Sequence, residues 1–296
     1  MASLLTKDDV QKRLDDLTSF PTTILRLMSL DMDSDDAMAQ IVSITETDPA
    51  LTARLFGIAN SAGYAPEVEI TNLGQAVARI GGRRVAELIY SIALMRLFEP
   101  TCAEERELWT HALATAVTAR TLCSAWPTVA VPGEAYLAGL MHDIGRFILL
   151  KGVPEELQRG DEFGWYSATD LMSAERAAIG RDHAELGYEL CERIGLPMRV
   201  RTVVRHHHHY GREYFDGVPE AERDLVGLVQ ISEFCASLLY AKPDPLELEP
   251  DQLLHLLGRR GEHLFHVQAI ATLGELAEQL PRIDREVRAL LDSMGF

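Results

Sequence analysis

Apolar residues in this chain recur three and four positions apart along nearly its whole length, and almost no segment shows the two-residue alternation of a half-buried strand. That pattern allows one fold class, all-α. Asp48-Pro49 combines an N-cap acid with a proline at the first helical position, and Leu51, Leu55, Ile58 and Ala59 then share a face. A short helix is expected from Asn72 to Ile80, broken by Gly81-Gly82. The next helix carries Val85, Leu88, Ile89, Ile92 and Leu97 at helical spacing.

From about Leu108 to Trp126 the seam is Leu108, Ala112, Thr115, Ala119 and Leu122, with His111 beside it and at least half buried. Gly133-Glu134 opens another helix, in which the polar pair His142-Asp143 interrupts Leu137, Leu140, Met141 and Ile144. Burying a lone carboxylate is costly, so Asp143 needs a partner. A helix from His183 to Ile194 ends at Gly195, and Leu196-Pro197 starts the next, which turns Val200, Val203 and Val204 inward and continues into His207 and His208. His206 and His209 are expected to be solvated. A helix from Ala221 to Tyr240 buries Leu225, Leu228, Val229, Cys235, Ala236 and Leu239, and further helices are expected to break at Pro243, Pro245, Pro250 and Pro281.

With 296 residues and 47% hydrophobic content the chain can bury a large core. Lys and Arg total 28 against 45 Asp and Glu, a net charge of −17 that opposes non-specific attraction to nucleic acid or anionic lipid. Arg79, Arg83 and Arg84 form the one basic knot and are read as a solvated face. Cys102, Cys123, Cys191 and Cys235 lie far apart with no CxxC pair, which suggests neither a zinc ribbon nor a disulfide framework. Acids come too early in MASLLTKDDVQKRLDDL for a signal peptide, and the apolar run LIYSIALM is too short to span a bilayer. The expectation is a cytoplasmic protein that engages neither membrane nor nucleic acid.

The chemistry lies in imidazoles and one carboxylate placed on the inward faces of successive helices: His111, His142, Asp143, His183, His207 and, after it, His208. The 31 residues between His111 and His142 allow one helix out and one back, so both side chains return to one level. Neutral imidazole with a bridging carboxylate suits iron, manganese, zinc or nickel, and two such ions can activate water against a phosphate ester. The alternative is a buried histidine–aspartate network that ties helices together without metal. Glu175 is read either as a ligand or, by preference, as a helix-end acid.

GLMHDIGR at 139–146 resembles the signature turn of the HD superfamily of metal-dependent phosphohydrolases. It is joined by LWTHALATA around His111, by ERAAIGRDHAELG with Glu175 and His183, and by LPMRVRTVVRHHHH at 196–209. In the N-terminal half, DPALTARLFGIANSAGY and ITNLGQAVARIGGRRVAELI are similar to the helical region of the HDOD (HD-related output domain) family of bacterial signalling proteins. The resemblance covers residues 14–212. It implies an N-terminal helical subdomain (14–100) packed on an HD-like helical bundle (101–212), preceded by a lead helix (1–13) and followed by a C-terminal helical extension (213–296) that completes the bundle.

Relatives with the HD-GYP signature hydrolyse cyclic di-GMP with bound metals, and this sequence departs from their pattern. Arg146 replaces the lysine after HDIG, and Arg holds a phosphate oxygen differently. HHHHYGREYFDGVPE keeps Asp216-Gly217 and Pro219 but loses the Gly-Tyr element. Where the closing aspartate should fall, only Ser232 and Glu233 are available, with Ser232 on the buried seam and Glu233 about a third of a turn away. The expectation is therefore a regulatory module without catalysis, acting through a signalling protein partner or a nucleotide sensed in a degenerate HD pocket, with Arg146 toward that ligand and a divalent metal (Fe, Mn, Ni or Zn) on His111, His142, Asp143, His183 and His207, joined by His208 and Glu233. The alternative is a phosphohydrolase acting on a cyclic dinucleotide or nucleotide.

Overall fold

The computed structural model describes residues 7–17, 22–60, 69–125, 130–150, 168–209, 217–239, 252 and 267–295, and among them there is no strand. No helix of the described residues is long and apolar enough to cross a membrane. The chain divides into two compact units, 19–99 with 288–296, and 1–18 with 100–287.

The smaller unit contains α2 (Thr22–Met28), α3 (Ala37–Glu46), α4 (Pro49–Ala59), α5 (Leu73–Ile80) and α6 (Gly82–Leu97), preceded in the chain by α1 (Lys7–Asp16) of the larger unit. The expected caps are in place. Asp48 accepts hydrogen bonds from the Ala50 and Leu51 amides, each at 3.0 Å, and pairs with Arg96. Asn72 accepts from Gln75, and Gly81, at φ 93°, turns α5 into α6 in a conformation that favours glycine. Asn60 terminates α4 and also stitches it forward, donating to the carbonyls of Phe56 and Ile70 and accepting from the Ile70 amide. Ser61, Gly63 and Tyr64 lie outside the described residues. Every residue of α6 from Val85 to Met95 is buried, including Glu87, which pairs with Arg84 at 2.6 Å.

The larger unit adds α7 (Ala103–Ala125), α8 (Pro132–Met141), α9 (Ile144–Leu149), α10 (Ala168–Ile179), α11 (His183–Arg193), α12 (Met198–His206), α13 (Glu220–Leu239) and α14 (Val267–Met294), the last as far as Val287. α7 lies against α8 and α13, α12 packs on α8, α11 and α13, and α11 packs on α9. Two glycines set how closely these helices approach. A Cβ at Gly139 would lie 2.9 Å from the Ala116 Cα, so α8 rests directly on the backbone of α7. A Cβ at Gly145 would overlap the His183 carbonyl, so α9 and the start of α11 touch main chain to main chain. Fully buried Trp109, Tyr136 and Phe234 fill the surrounding core, each contributing roughly 1.5–3 kcal/mol or more by removal from water.

One expectation is corrected. Pro281 lies inside α14 instead of ending a helix. A proline inside a helix costs about 3 kcal/mol, but Leu280, Ile283 and Val287 are all buried along one face, and Glu286 forms a bidentate pair with Arg120 of α7 at 2.7 and 2.8 Å. Packing of that face outweighs the lost backbone bond. The expected breaks at Pro243, Pro245 and Pro250, and Asp216, lie outside the described residues.

Candidate metal centre

His142 closes α8 and Asp143 stands at the N-cap of α9, so the turn between two short helices presents both side chains. Asp143 makes no capping hydrogen bond to the helix it precedes. Two further helix ends and the middle of α7 arrive at the same place. His183 is the first residue of α11, His207 is the C-cap of α12 with His208 next to it, and His111 comes from within α7.

Each ring is held from behind. His142 donates its Nδ1–H to the Gly139 carbonyl at 2.6 Å, and His207 donates to the Val204 carbonyl at 2.9 Å. A carbonyl can only accept, so Nδ1 carries a proton in both rings, and in the neutral ring Nε2 is left with a lone pair for a ligand. His183 donates Nδ1–H to Glu175 Oε2 at 2.7 Å, and the same oxygen accepts the His183 backbone N–H at 2.9 Å. Ser237 Oγ lies 3.5 Å from His111 Nδ1, and Glu233 Oε1 lies 3.7 Å from His208 Nδ1.

The inward atoms converge on Asp143. His207 Nε2 is 3.3 Å and His183 Nε2 3.5 Å from Oδ1, His142 Nε2 is 3.6 Å from Oδ2, and His111 Nε2 is 3.3 Å from His142 Nε2. Asp143 Oδ1, His183 Nε2 and His207 Nε2 are fully buried, and none has a hydrogen-bond partner. The 3.3 Å approach of His207 to Oδ1 falls within hydrogen-bond range, but in a neutral ring whose one proton goes to Val204 it sets lone pair against lone pair. Such an arrangement is costly unless a cation sits between the atoms.

The separations fit a cation. Tetrahedral ligands about 2.1 Å from a zinc-sized ion stand about 3.4 Å apart, close to the four distances above. The ligand atoms form two groups, His111, His142 and Asp143, and Asp143, His183, His207 and His208, with Asp143 common to both. Burial, with the neighbouring His207 and His111 adding and Asp143 opposing, pushes His142 down to about 3, so it is neutral and a competent ligand. Burial also holds His208 well below the usual histidine range. For His183 burial again acts to lower the pKa, but the charge and hydrogen bond of Glu175, with Asp143, outweigh it and raise it. Burial acts to raise Asp143, and His142, the His207 ring, Arg146 and His183 together hold it well below the ordinary carboxylate range.

The structure thus brings together His111, His142, Asp143, His183, His207 and His208. It does not bring Glu233 into either ligand group, and Glu233 Oε1 lies 3.7 Å from His208 Nδ1. Ser232 donates to the Leu228 carbonyl of its own helix. Arg146 is buried with its guanidinium 3.7 Å from Asp143 Oδ2. His206 and His209 are half-buried, face each other at Nδ1 across 2.8 Å, and join neither group. Sequence reasoning missed that Glu175 grips the back of His183, and it missed the glycines that let the helices close on the site. The available signal was the eight-residue spacing from Glu175 to His183 with Gly180 between, at φ 83°.

A family model described as HDOD domain matches residues 17–210. An uncharacterised protein of Treponema pallidum is 26% identical over 260 residues, which are 88% of this chain and 50% of that protein, so the chain spans about half the length of the curated relative it matches. Among solved structures, a Shewanella amazonensis protein provisionally described as a phosphohydrolase superposes with a TM-score of 0.69 at 19% identity, covering 97% of this chain and 98% of that one. A Marinobacter aquaeolei protein provisionally described as acting in signal transduction gives 0.66 at 19% identity, covering 98% and 67%. At these identities the likeness is one of fold.

Proposed function

The chain belongs to the HDOD domain family, and from that premise we propose that it is a regulatory signalling module whose Asp143 centre binds divalent metal. The observation that carries this is the convergence of three buried, unbonded ligand atoms, Asp143 Oδ1, His183 Nε2 and His207 Nε2, on one point. Five imidazoles against one carboxylate favour iron, nickel or zinc, with manganese the least suited of the metals expected. Asp143, with Oδ1 toward His183 and His207 and Oδ2 toward His142, is common to both groups and would contribute to holding an ion in each. When bound, such a pair supplies Lewis acidity toward a phosphate oxygen or a bound water.

Two features favour sensing over turnover. Glu233, one of the two residues available where the HD pattern has its closing aspartate, lies with Oε1 3.7 Å from His208 Nδ1 and belongs to neither ligand group. Arg146 is buried, with its guanidinium 3.7 Å from Asp143 Oδ2, where a lysine stands in the hydrolases that the sequence resembles. A metal pair in this setting would hold a phosphate-bearing nucleotide, or a conformation recognised by a signalling protein partner, without completing hydrolysis. The second reading, a metal-dependent phosphohydrolase acting on a cyclic dinucleotide or nucleotide, draws on the two ligand groups that share a carboxylate.

Elemental analysis of the purified protein, paired with a phosphodiesterase assay in added manganese or iron, separates them. The expected result is stoichiometric metal and no turnover of a cyclic dinucleotide. Turnover that disappears in His142→Ala would establish the enzymatic reading, and protein without metal in any condition would remove both.

A further inference from the structure

Among the histidines around Asp143, His183 is held differently. His142 and His207 rest on uncharged carbonyls three residues earlier in their own chain segment, local contacts that any regular turn at those positions supplies. His183 rests on a carboxylate from a separate helix. Glu175, in the last part of α10, reaches across the turn at Gly180 to the first residue of α11, and its Oε2 accepts both the backbone N–H and the ring Nδ1–H of His183.

A plain helix cap does not account for this contact. α11 already has an N-cap in Asp182, whose side chain accepts from the Glu185 amide at 2.8 Å and whose other oxygen pairs with Arg176. A cap would need only a backbone N–H, whereas Glu175 also takes the ring, and it does so at 3% exposure, where a carboxylate is expensive to bury. Nor is Glu175 a ligand, since it belongs to neither ligand group. A charged acceptor behind an imidazole fixes its tautomer, fixes its rotation and strengthens the opposite nitrogen as a donor.

We propose that Glu175 is a positioning residue that sets metal affinity on one side of Asp143 only, the side built by His183, His207 and His208. The inference rests on the two-group metal reading above. Its consequence is asymmetry: the His111–His142 side takes its orientation from Gly139 and does not depend on α10, while the His183 side is coupled to the placement of Glu175. Any change that shifts α10 would therefore alter one metal position and leave the other unchanged.

The test titrates the metal-free full chain with Co2+ alone, following visible absorbance for each equivalent bound, in wild type, Glu175→Ala and Glu175→Gln, with thermal denaturation of each metal-free protein as a control. Glutamine retains an oxygen that can accept both His183 protons but loses the charge. Wild type is expected to take up two equivalents. Glu175→Ala should weaken one by about 10- to 100-fold with the other unchanged, and Glu175→Gln should weaken the same one by a smaller factor, about tenfold or less, with the melting temperature of wild type. If the alanine variant fails to fold, the glutamine variant alone decides. Two equivalents bound with unchanged affinity in the variants, or equal loss at both positions, would overturn the inference while leaving the metal centre in place. Wild-type protein that takes up no metal would overturn the metal reading and this inference with it.

Discussion

Asp143 and Glu87 are carboxylates buried to the same degree, one in each unit, and they meet the cost of burial in opposite ways. Glu87, three residues after Arg84 on α6, keeps that guanidinium 2.6 Å away, and burial, against the pull of Arg84, still raises its carboxyl to about 7. Glu87 can therefore escape its charge by taking a proton. Asp143 is held ionised, with one oxygen unbonded and imidazole lone pairs aimed at it. A buried acid with a local partner reads as structure. A buried acid ringed by imidazoles, with one oxygen left unbonded, reads as a site built for a cation.

The largest effect expected from this difference lies at Asp143. With metal present at about a thousand times its dissociation constant, wild type should gain about 4 kcal/mol of stability, measured by urea unfolding with and without Zn2+. Asp143→Asn should gain almost nothing, because it removes the charge shared by both ligand groups. Retention of the full gain in the variant would erase the distinction between the two acids.

The smaller effect lies at Glu87 and concerns pH. A carboxyl whose folded pKa is near 7, against 4.5 for the ordinary group, binds its proton more tightly when folded. Its stabilising contribution is complete below pH 4.5 and is lost as pH rises through 7. Between pH 5 and pH 8 this amounts to about 2–3 kcal/mol. Unfolding free energies of wild type and Glu87→Gln at the two pH values isolate it. Wild type should lose that much more stability than the variant on going to pH 8, and parallel losses would show that Glu87 stays ionised beside Arg84.

The helices of this molecule were legible because their signals are local. Asp48-Pro49, Asn72 and Gly81 act within a turn of their own positions, and the structure uses each as expected. The all-α class follows from the same periodicity. The gathering of His111, His142, His183 and His207 was legible for a different reason: His207 continues an apolar seam, His111 lies beside one, and the resemblance of the GLMHDIGR and RDHAELG segments to the HD pattern drew in His142 and His183. What stayed hidden depends on distance and direction between helices. Pro281 reads as a break until the buried face of Leu280, Ile283 and Val287 is known to outweigh it. Periodicity left Glu175 open between ligand and helix-end acid, because its role is set by where α11 begins. It also placed Glu233 off the seam, yet α13 is buried on all sides there, and the carboxylate turns toward His208. Gly139 and Gly145 carried no visible meaning before the backbones they admit were in place.

The central claim is that the lone pairs around Asp143 face a cation. Anomalous scattering at the zinc edge, from crystals of the full chain loaded with Zn2+, tests it most directly. The account predicts a peak within about 2.0–2.2 Å of His183 Nε2, His207 Nε2 and an Asp143 oxygen. Crystals grown in Zn2+ with no peak at Asp143, and with His183 and His207 instead hydrogen-bonded to its carboxylate, would contradict it.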